Sequence, residues 1–150
     1  METASVREWF DAYLRAFAAC GRGESDDLSV LLQYYGVSLL LTTDDAVLAL
    51  TTSDEVLGAA RQQIEGMRAA AYEHSETLES EIVALNATSA LHTAAFSRRR
   101  KDASEIGRLR ATYLITDGAS GRRISALVVH TDPRAPVPPR AGWRAAGRGW

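Results

Sequence analysis

Four long segments of alternating apolar and polar residues follow one another in the second half of this 150-residue chain. They cover residues 77–86, 90–100, 107–117 and 122–131, and short turns join them. Alternation with a period of two is typical of β-strands, and short turns pair neighbouring strands antiparallel. The pattern therefore predicts an antiparallel meander, so the chain must fold in a way that covers one face of a large sheet.

The beginning of the chain has the periodicity of a helix. Between residues 5 and 20 apolar side chains recur at steps of three and four, which predicts an amphipathic helix with one apolar stripe. The stripe consists of Val6, Trp9, Phe10, Tyr13, Leu14, Phe17 and Cys20. Ser5 and Glu8 have the spacing of a capping box, and Gly21 is a candidate for the left-handed residue that follows a helix.

Shorter elements are predicted between this helix and the meander. Residues 26–35 indicate a short helix, and residues 37–42 and 46–51 indicate two short strands. Thr52 and Glu55 again have capping-box spacing, so we expect a third helix over residues 52–73. Because the helices precede the meander instead of alternating with its strands, the fold class is α+β.

The end of the chain differs in composition from the rest. All four prolines lie within residues 132–150, together with four arginines and one aspartate. We expect one domain over residues 1–131 and a disordered Pro/Gly/Arg-rich tail over residues 132–150. Since the net charge of the whole chain is −2, residues 1–131 are acidic, which argues against a nucleic-acid surface.

The sequence also limits location and cofactors. The first ten residues, METASVREWF, lack the basic start and apolar core of a signal peptide, and the longest aliphatic run, Leu39–Leu41, is too short to span a bilayer. We therefore expect a soluble, cytoplasmic protein that does not bind membranes. Cys20 is the single cysteine and no two histidines have metal-ligand spacing, so we expect no metal and no cofactor.

This order of elements resembles the nuclear transport factor 2-like superfamily, which includes ketosteroid isomerase-like proteins and SnoaL-like polyketide cyclases. The segment ATYLITDGASGRRISALVVH, residues 111–130, is similar to the superfamily's final hairpin, in which Trp-Arg-Ile often stands where this chain has Arg122-Arg123-Ile124. The resemblance implies a cone-shaped, cystatin-like roll: a curved, mostly antiparallel sheet of about six strands wrapped around three helices. It also implies an apolar cavity at the open end and a homodimer through the outer sheet face.

The isomerase branch of this superfamily uses a carboxylate base on the first short strand, with a tyrosine and a protonated aspartate that stabilise the oxyanion. Tyr13 matches that tyrosine in kind. The first short strand, GVSLLLTT, contains no acid, and the third meander strand, LRATYLIT, has a tyrosine where the resemblance implies an acid. We therefore do not predict ketosteroid isomerase activity by this mechanism.

Five residues are the candidates for contact with a ligand, because they place aromatic or polar groups on otherwise apolar faces. They are Trp9, Tyr13, His92, Tyr113 and His130. Alternation places His130 on one face with Ile124, Ala126 and Val128. A histidine beside a cavity can act as an acid or base, but a satisfied polar lining is the interpretation that we favour.

Two other features have simpler interpretations. His74 is expected at the end of the third helix, facing water. The run SRRRKD, residues 97–102, is split by strand alternation, with Arg98 and Arg100 on one face and Arg99 and Lys101 on the other. Without interleaved aromatics, we interpret the run as a solvated hairpin tip.

Three functions remain open. We favour a module that binds a small apolar ligand without catalysis. The first alternative is a SnoaL-like enzyme, an isomerase, cyclase or hydrolase acting on a polyketide, steroid or aromatic substrate through His130 or His92 with Tyr13. The second alternative is a dimeric interaction module whose cavity is filled by side chains.

Overall fold

Six strands form one mixed sheet that is covered on one face by helices. The computed structural model describes residues 1–131, so the expected tail at 132–150 lies outside the described residues. The elements, in chain order, are α1 (Thr3–Gly21), a 3₁₀ helix (Leu28–Gln33), β1 (Tyr35–Thr42), β2 (Val47–Leu50), α2 (Ser53–Ala69), β3 (Tyr72–Asn86), β4 (Ser89–Arg100), β5 (Glu105–Gly118) and β6 (Gly121–Val129).

The strand order across the sheet is β2-β1-β6-β5-β4-β3. The pairs β3/β4, β4/β5 and β5/β6 are antiparallel, which confirms the meander, and β1/β2 is an antiparallel pair as well. β1 lies parallel to β6 and joins the two short strands to the meander. The α+β class and the mixed sheet of six strands are therefore confirmed.

The apolar stripe of α1 packs onto the inner face of the sheet. Val6, Phe10 and Tyr13 are at most 2% exposed. The ring of Phe10 meets those of His92 and Tyr113 nearly edge-on, with centroid distances of 4.2 and 4.8 Å. Burying a side chain of this size stabilises a fold by about 1.5–3 kcal/mol, and the stripe therefore anchors α1 across the strands.

The ends of α1 differ from the sequence prediction. The helix begins at Thr3, and Ser5 is not its cap: the Ser5 hydroxyl accepts a hydrogen bond from Arg122 instead. The left-handed residue after the helix is Gly23, with φ of 81°, and not Gly21. The N–H groups of Gly23 and Glu24 bond to the Cys20 and Ala19 carbonyls, which is a Schellman motif.

The predicted cap of α2 is confirmed, whereas its predicted end is wrong. The Thr52 hydroxyl accepts from the Glu55 N–H at 3.2 Å. The helix ends at Ala69 instead of residue 73, and a left-handed Ala71 (φ 61°) redirects the chain into β3. β3 therefore includes His74, because pairing with β4 extends back to Tyr72 and replaces the last helical turn.

The predicted short helix is a 3₁₀ helix that ends at Gln33, since Tyr35 already belongs to β1. Parallel pairing of β1 with β6 begins at Tyr35, opposite Ile124. A helical pattern of this length is marginal without tertiary support, so sheet pairing decides where it stops.

A register shift in the last hairpin corrects the assignment of faces in β6. Ile115 pairs with Ile124, but Leu114 pairs with Ala126, so Ser125 is an extra residue in the ladder. Beyond it, Leu127 pairs with the inward Tyr113 and is fully buried. The predicted shared face of Ile124, Ala126, Val128 and His130 is therefore wrong, because a bulge reverses the alternation that a sequence pattern assumes.

Gly21 lies where α1 approaches α2 and β3, and it provides a test of this packing. A Cβ there would lie 2.5 Å from the Met67 Cε and 3.0 Å from the Tyr72 ring. We expect Gly21→Ala to lower the free energy of unfolding by about 1–2 kcal/mol, measured by urea denaturation, because overpacking outweighs the gain in helix propensity.

The matched control is Gly58→Ala in α2, where a Cβ would meet nothing within 4 Å. This substitution should raise the free energy of unfolding by about 0.5–1 kcal/mol. Equal effects of the two alanines would contradict the close approach at Gly21.

Candidate functional site

A cavity of about 320 Å³ lies between α1 and the strands β3, β4 and β5. Eight aromatic or aliphatic residues and six charged or other polar residues of the described chain form its wall. The lining residues on which the argument depends are Tyr13, Phe17, Thr77, Phe96, Arg98 and Tyr113. A space of this size and lining is typical of a small-molecule site.

The register of the meander brings these side chains to one wall. Thr77 pairs with Phe96 and Ser75 pairs with Arg98, so alternate residues of β3 and β4 face inward together. Phe96 pairs in turn with Leu109 on β5. The polar Arg98 is therefore held on the inner face by the same alternation that buries Phe96.

Arg98 is the cationic group on this wall. Its Nη1 donates a hydrogen bond of 2.7 Å to Oε1 of Gln63, a buried residue of α2. Within residues 1–131 this is its one hydrogen bond, and no carboxylate of that part lies within ion-pair distance. Burial lowers the pKa of Arg98, while the nearby tyrosine hydroxyls act in the opposite direction. Arginine nevertheless stays charged in proteins, so the wall carries a positive charge without a counter-charge.

Tyrosine hydroxyls surround this charge. Tyr13 and Tyr35 share a buried hydrogen bond, and the Tyr113 hydroxyl makes none with the residues that the structure describes. Burial is the main reason why the pKa values of Tyr13, Tyr35 and Tyr113 are raised. All three phenols are therefore neutral at pH 7, so they can donate hydrogen bonds but cannot neutralise Arg98.

The rim of the cavity is also basic. Arg15 and Arg22 line it and are exposed, and Arg22 is paired with Glu24 at 3.0 Å. No aspartate or glutamate is among the lining residues of the described chain. A cavity walled by one sign of charge raises the local concentration of ligands of the opposite sign, so this one favours anions.

The structure places two of the five predicted site residues at the cavity. Tyr13 and Tyr113 line it. Trp9 stacks at an angle on Tyr34, with centroids 5.5 Å apart, and lies in a separate surface depression. His130 lies on the outer face, where its Nε2 is 2.7 Å from Oγ1 of Thr112. Contact of any of them with a ligand stays a prediction.

His92 belongs to the core and not to the cavity wall. Its Nε2 is 2.9 Å from Oγ of Ser80, which also accepts a hydrogen bond from Arg7 at 2.8 Å. Its Nδ1 is buried and has no hydrogen-bond partner among the described residues. A nucleophile–base pair needs a third group that orients the base, and the described residues place none at Nδ1.

Two residues at the cavity were assigned elsewhere by the sequence analysis. Arg98 was interpreted as part of a solvated hairpin tip, and His74 as a helix end, but both line the cavity. The signal for Arg98 was its alternation with Ala94 and Phe96, which are both buried. Three further cations follow Arg98 directly in the sequence, and a run of charges is typical of an exposed turn.

Over residues 1–131 no three His, Cys, Asp or Glu side chains converge on a point that could hold a metal ion. The Cys20 thiol is buried, and burial raises its pKa. No helix within these residues has the length and hydropathy needed to cross a bilayer.

His92 makes stability depend on pH. Burial, followed by the Arg7 charge, lowers the pKa of His92 to about 4, from 6.5. The unfolded chain therefore binds the proton more tightly, and the free energy of unfolding should fall as the pH drops from about 6.5 to about 4. The loss attributable to His92 is on the order of 3 kcal/mol.

Urea denaturation of His92→Gln between pH 4 and 7.5 measures this contribution. The variant should lose less stability than the parent over that range, while His74→Gln, an exposed histidine, should keep the parental dependence. Parallel curves for His92→Gln and the parent would contradict the assignment.

Comparison with solved structures gives relatives of the same fold at low sequence identity. An NTF-2 like protein of unknown function from Shewanella oneidensis MR-1 is 16% identical with a TM-score of 0.64, covering 86% of this chain and 98% of its own. A domain of unknown function with a cystatin-like fold from Nostoc punctiforme is 15% identical with a TM-score of 0.60, covering 87% and 76%. A putative ketosteroid isomerase from Shewanella frigidimarina is 13% identical with a TM-score of 0.55, covering 79% and 92%.

Comparison with curated proteins gives no match. A family model described as NTF2-like protein (DUF6841) matches residues 2–132, which includes both helices and all six strands of the structure. This match identifies the chain as a member of the DUF6841 family within the NTF2-like superfamily, and the α+β fold and the structural neighbours agree with it.

Proposed function

We propose that this protein binds a small, mainly apolar ligand in the cavity between α1 and the meander. The observation that supports this most directly is the cavity of about 320 Å³. Its apolar lining includes Phe17, Phe96 and Leu109, each of which is at most 8% exposed. Apolar walls provide the gain from desolvation, while a few polar groups fix the orientation of the ligand.

The geometry favours binding over catalysis. Acid–base catalysis needs a titratable pair that converges on the ligand. His74 lines the cavity but its side chain has no hydrogen-bond partner within residues 1–131, and His92 faces Ser80 in the core. The putative ketosteroid isomerase among the structural neighbours suggests an apolar ring compound. The lining residues of the described chain, however, contain no carboxylate base for that reaction. The cavity volume also favours a pocket over a cone filled by side chains.

A neutral apolar dye tests whether the cavity is the binding site. The fluorescence of N-phenyl-1-naphthylamine should rise when it binds the parent protein. Thr77→Trp should abolish this rise or weaken binding at least tenfold, because Thr77 faces the cavity from an edge strand and a tryptophan there occupies the space.

The matched control is the same threonine-to-tryptophan substitution at a position outside the cavity. Thr88 lies in the exposed β3–β4 turn, so Thr88→Trp should bind the dye as the parent does. Unchanged binding in Thr77→Trp, or no binding by the parent, would overturn the cavity as a ligand site.

The outer sheet face supports a second proposal, a homodimer. Cross-strand pairing aligns one apolar row across five strands: Val83, Leu91, Leu114, Ala126 and Leu40. Val83 and Leu40 are 45% and 43% exposed. A second copy presents the same row through a twofold axis, so the two rows cover each other. The bulge in β6 creates this row, because it turns Ala126 outward.

Sedimentation equilibrium tests this interface. Leu114→Glu, in the middle of the row, should convert a dimer to a monomer. Leu78→Glu, at an exposed leucine five residues before Val83 on β3, should leave the dimer intact. A monomeric parent protein, or a dimer that survives Leu114→Glu, would overturn the interface.

A further inference from the structure

We propose that the ligand carries a single carboxylate and that Arg98 binds it from the inner wall of the cavity. This inference rests on the proposed function, since it specifies the ligand of the same cavity. It assigns an aryl or alkyl monocarboxylate: an acidic head at Arg98, and an apolar body against Phe17, Phe96 and Leu109.

The first argument is the difference between Arg98 and the arginines of the described chain that pair with a carboxylate. Of the eleven other arginines in residues 1–131, six lie within 4.0 Å of a carboxylate: Arg22, Arg68, Arg99, Arg108, Arg110 and Arg122. Five have no such partner: Arg7, Arg15, Arg61, Arg100 and Arg123. Among the unpaired arginines of these residues, Arg98 is the one that is half-buried and also lines the cavity. Arg98 is half-buried and has only the neutral amide oxygen of Gln63 as a hydrogen-bond partner within residues 1–131. Partial burial of a cation without an anion is unfavourable, and an anionic ligand would offset that unfavourable term.

The second argument is that the described residues supply no negative charge beside Arg98. The groups that interact electrostatically with Arg98 are the hydroxyls of Tyr113, Tyr72, Tyr13 and Tyr35. Burial keeps these phenols protonated well above neutral pH. Tyr13 and Tyr35 already share a hydrogen bond, and Tyr72 shares one with Ser75. The Tyr113 hydroxyl is therefore the phenol that can donate to an incoming anion.

The third argument concerns donors that face the cavity. Gln63 accepts from Nη1 of Arg98, and Nε and Nη2 make no hydrogen bond within residues 1–131. The Tyr113 hydroxyl is another donor without an acceptor in that part of the chain. Guanidinium and carboxylate are both planar and join through two parallel hydrogen bonds. One carboxylate can therefore accept hydrogen bonds from Nε and Nη2 of Arg98 and from the Tyr113 hydroxyl.

The charge on the wall favours a carboxylate over a phosphate monoester. Arg98 is the cation of the inner wall. At the rim, Arg22 is paired with Glu24, and Arg15 is exposed to water, which screens its charge. A monoester carries close to two negative charges at neutral pH and would leave one of them unmatched in a desolvated site. One guanidinium with phenol donors matches a single negative charge.

Isothermal titration calorimetry with two compounds of the same shape tests the inference. The parent protein should bind 2-naphthoate at least tenfold more tightly than the neutral 2-naphthamide. Arg98→Met should lose this preference and still bind N-phenyl-1-naphthylamine. Arg61→Gln, which removes an exposed arginine of α2, should keep the parental preference.

A second variant tests the same inference independently, in case Arg98→Met does not fold. Tyr113→Phe removes a hydroxyl that bonds to no described residue, so the fold should persist, and the preference for naphthoate should fall two- to tenfold. Arg98→Lys should keep part of the preference, because it retains the charge and loses the planar fork.

The outcomes separate the two proposals. If the dye binds but naphthoate binds no better than naphthamide, or if Arg98→Met keeps the preference, the carboxylate inference is overturned and the apolar cavity stands. If neither naphthyl compound nor the dye binds, both proposals fail. Tighter binding of 2-naphthyl phosphate than of 2-naphthoate would overturn the choice of a monocarboxylate.

Discussion

The packing of the α1 aromatic stripe against the inner face of the meander is the constraint on which the rest of the structure depends. Phe10 contacts rings of β4 and β5 edge-on, and Tyr13 continues the same line of aromatic contacts. A sheet with one apolar face needs such a cover to remain in water. The contacts of α1 with the sheet are incomplete, so a cavity remains between this helix and the strands β3, β4 and β5.

The same arrangement places the positive charge of Arg98 on the inner face of the sheet, where partial burial destabilises a charge. β4 alternates buried and accessible positions, and the alternation that turns Phe96 inward also turns Arg98 inward. The guanidinium of Arg98 donates a hydrogen bond to the side-chain amide of Gln63 on α2, and the hydroxyls of the nearby tyrosines are neutral. Apolar walls, a neutral phenol donor and the Arg98 guanidinium on the inner wall favour an amphipathic anion, on a fold that elsewhere serves many functions.

Much of the fold follows from local pattern, and much of the site does not. The helix over residues 5–20, the cap at Thr52 and the four meander strands depend on periodicity and short-range hydrogen bonds, which a sequence displays directly. Tyr13 and Tyr113 were found at the cavity for the same reason, because each lies on an apolar face. The predicted face shared by His130 and Ile124 is wrong, since the register shift at Ser125 arises from pairing between strands and has no local signature.

The sequence by itself determined the α+β class, the order of elements, the aromatic face of α1 and the absence of an acid from the first short strand. These follow from residue spacing and residue type alone. Tertiary structure decided that α2 ends at Ala69, that His92 lies in the core, and that Arg98 faces a cavity with no carboxylate of residues 1–131 beside it. Each of these depends on which distant residues become neighbours, because desolvation and charge pairing are properties of the packed surroundings and not of the chain segment.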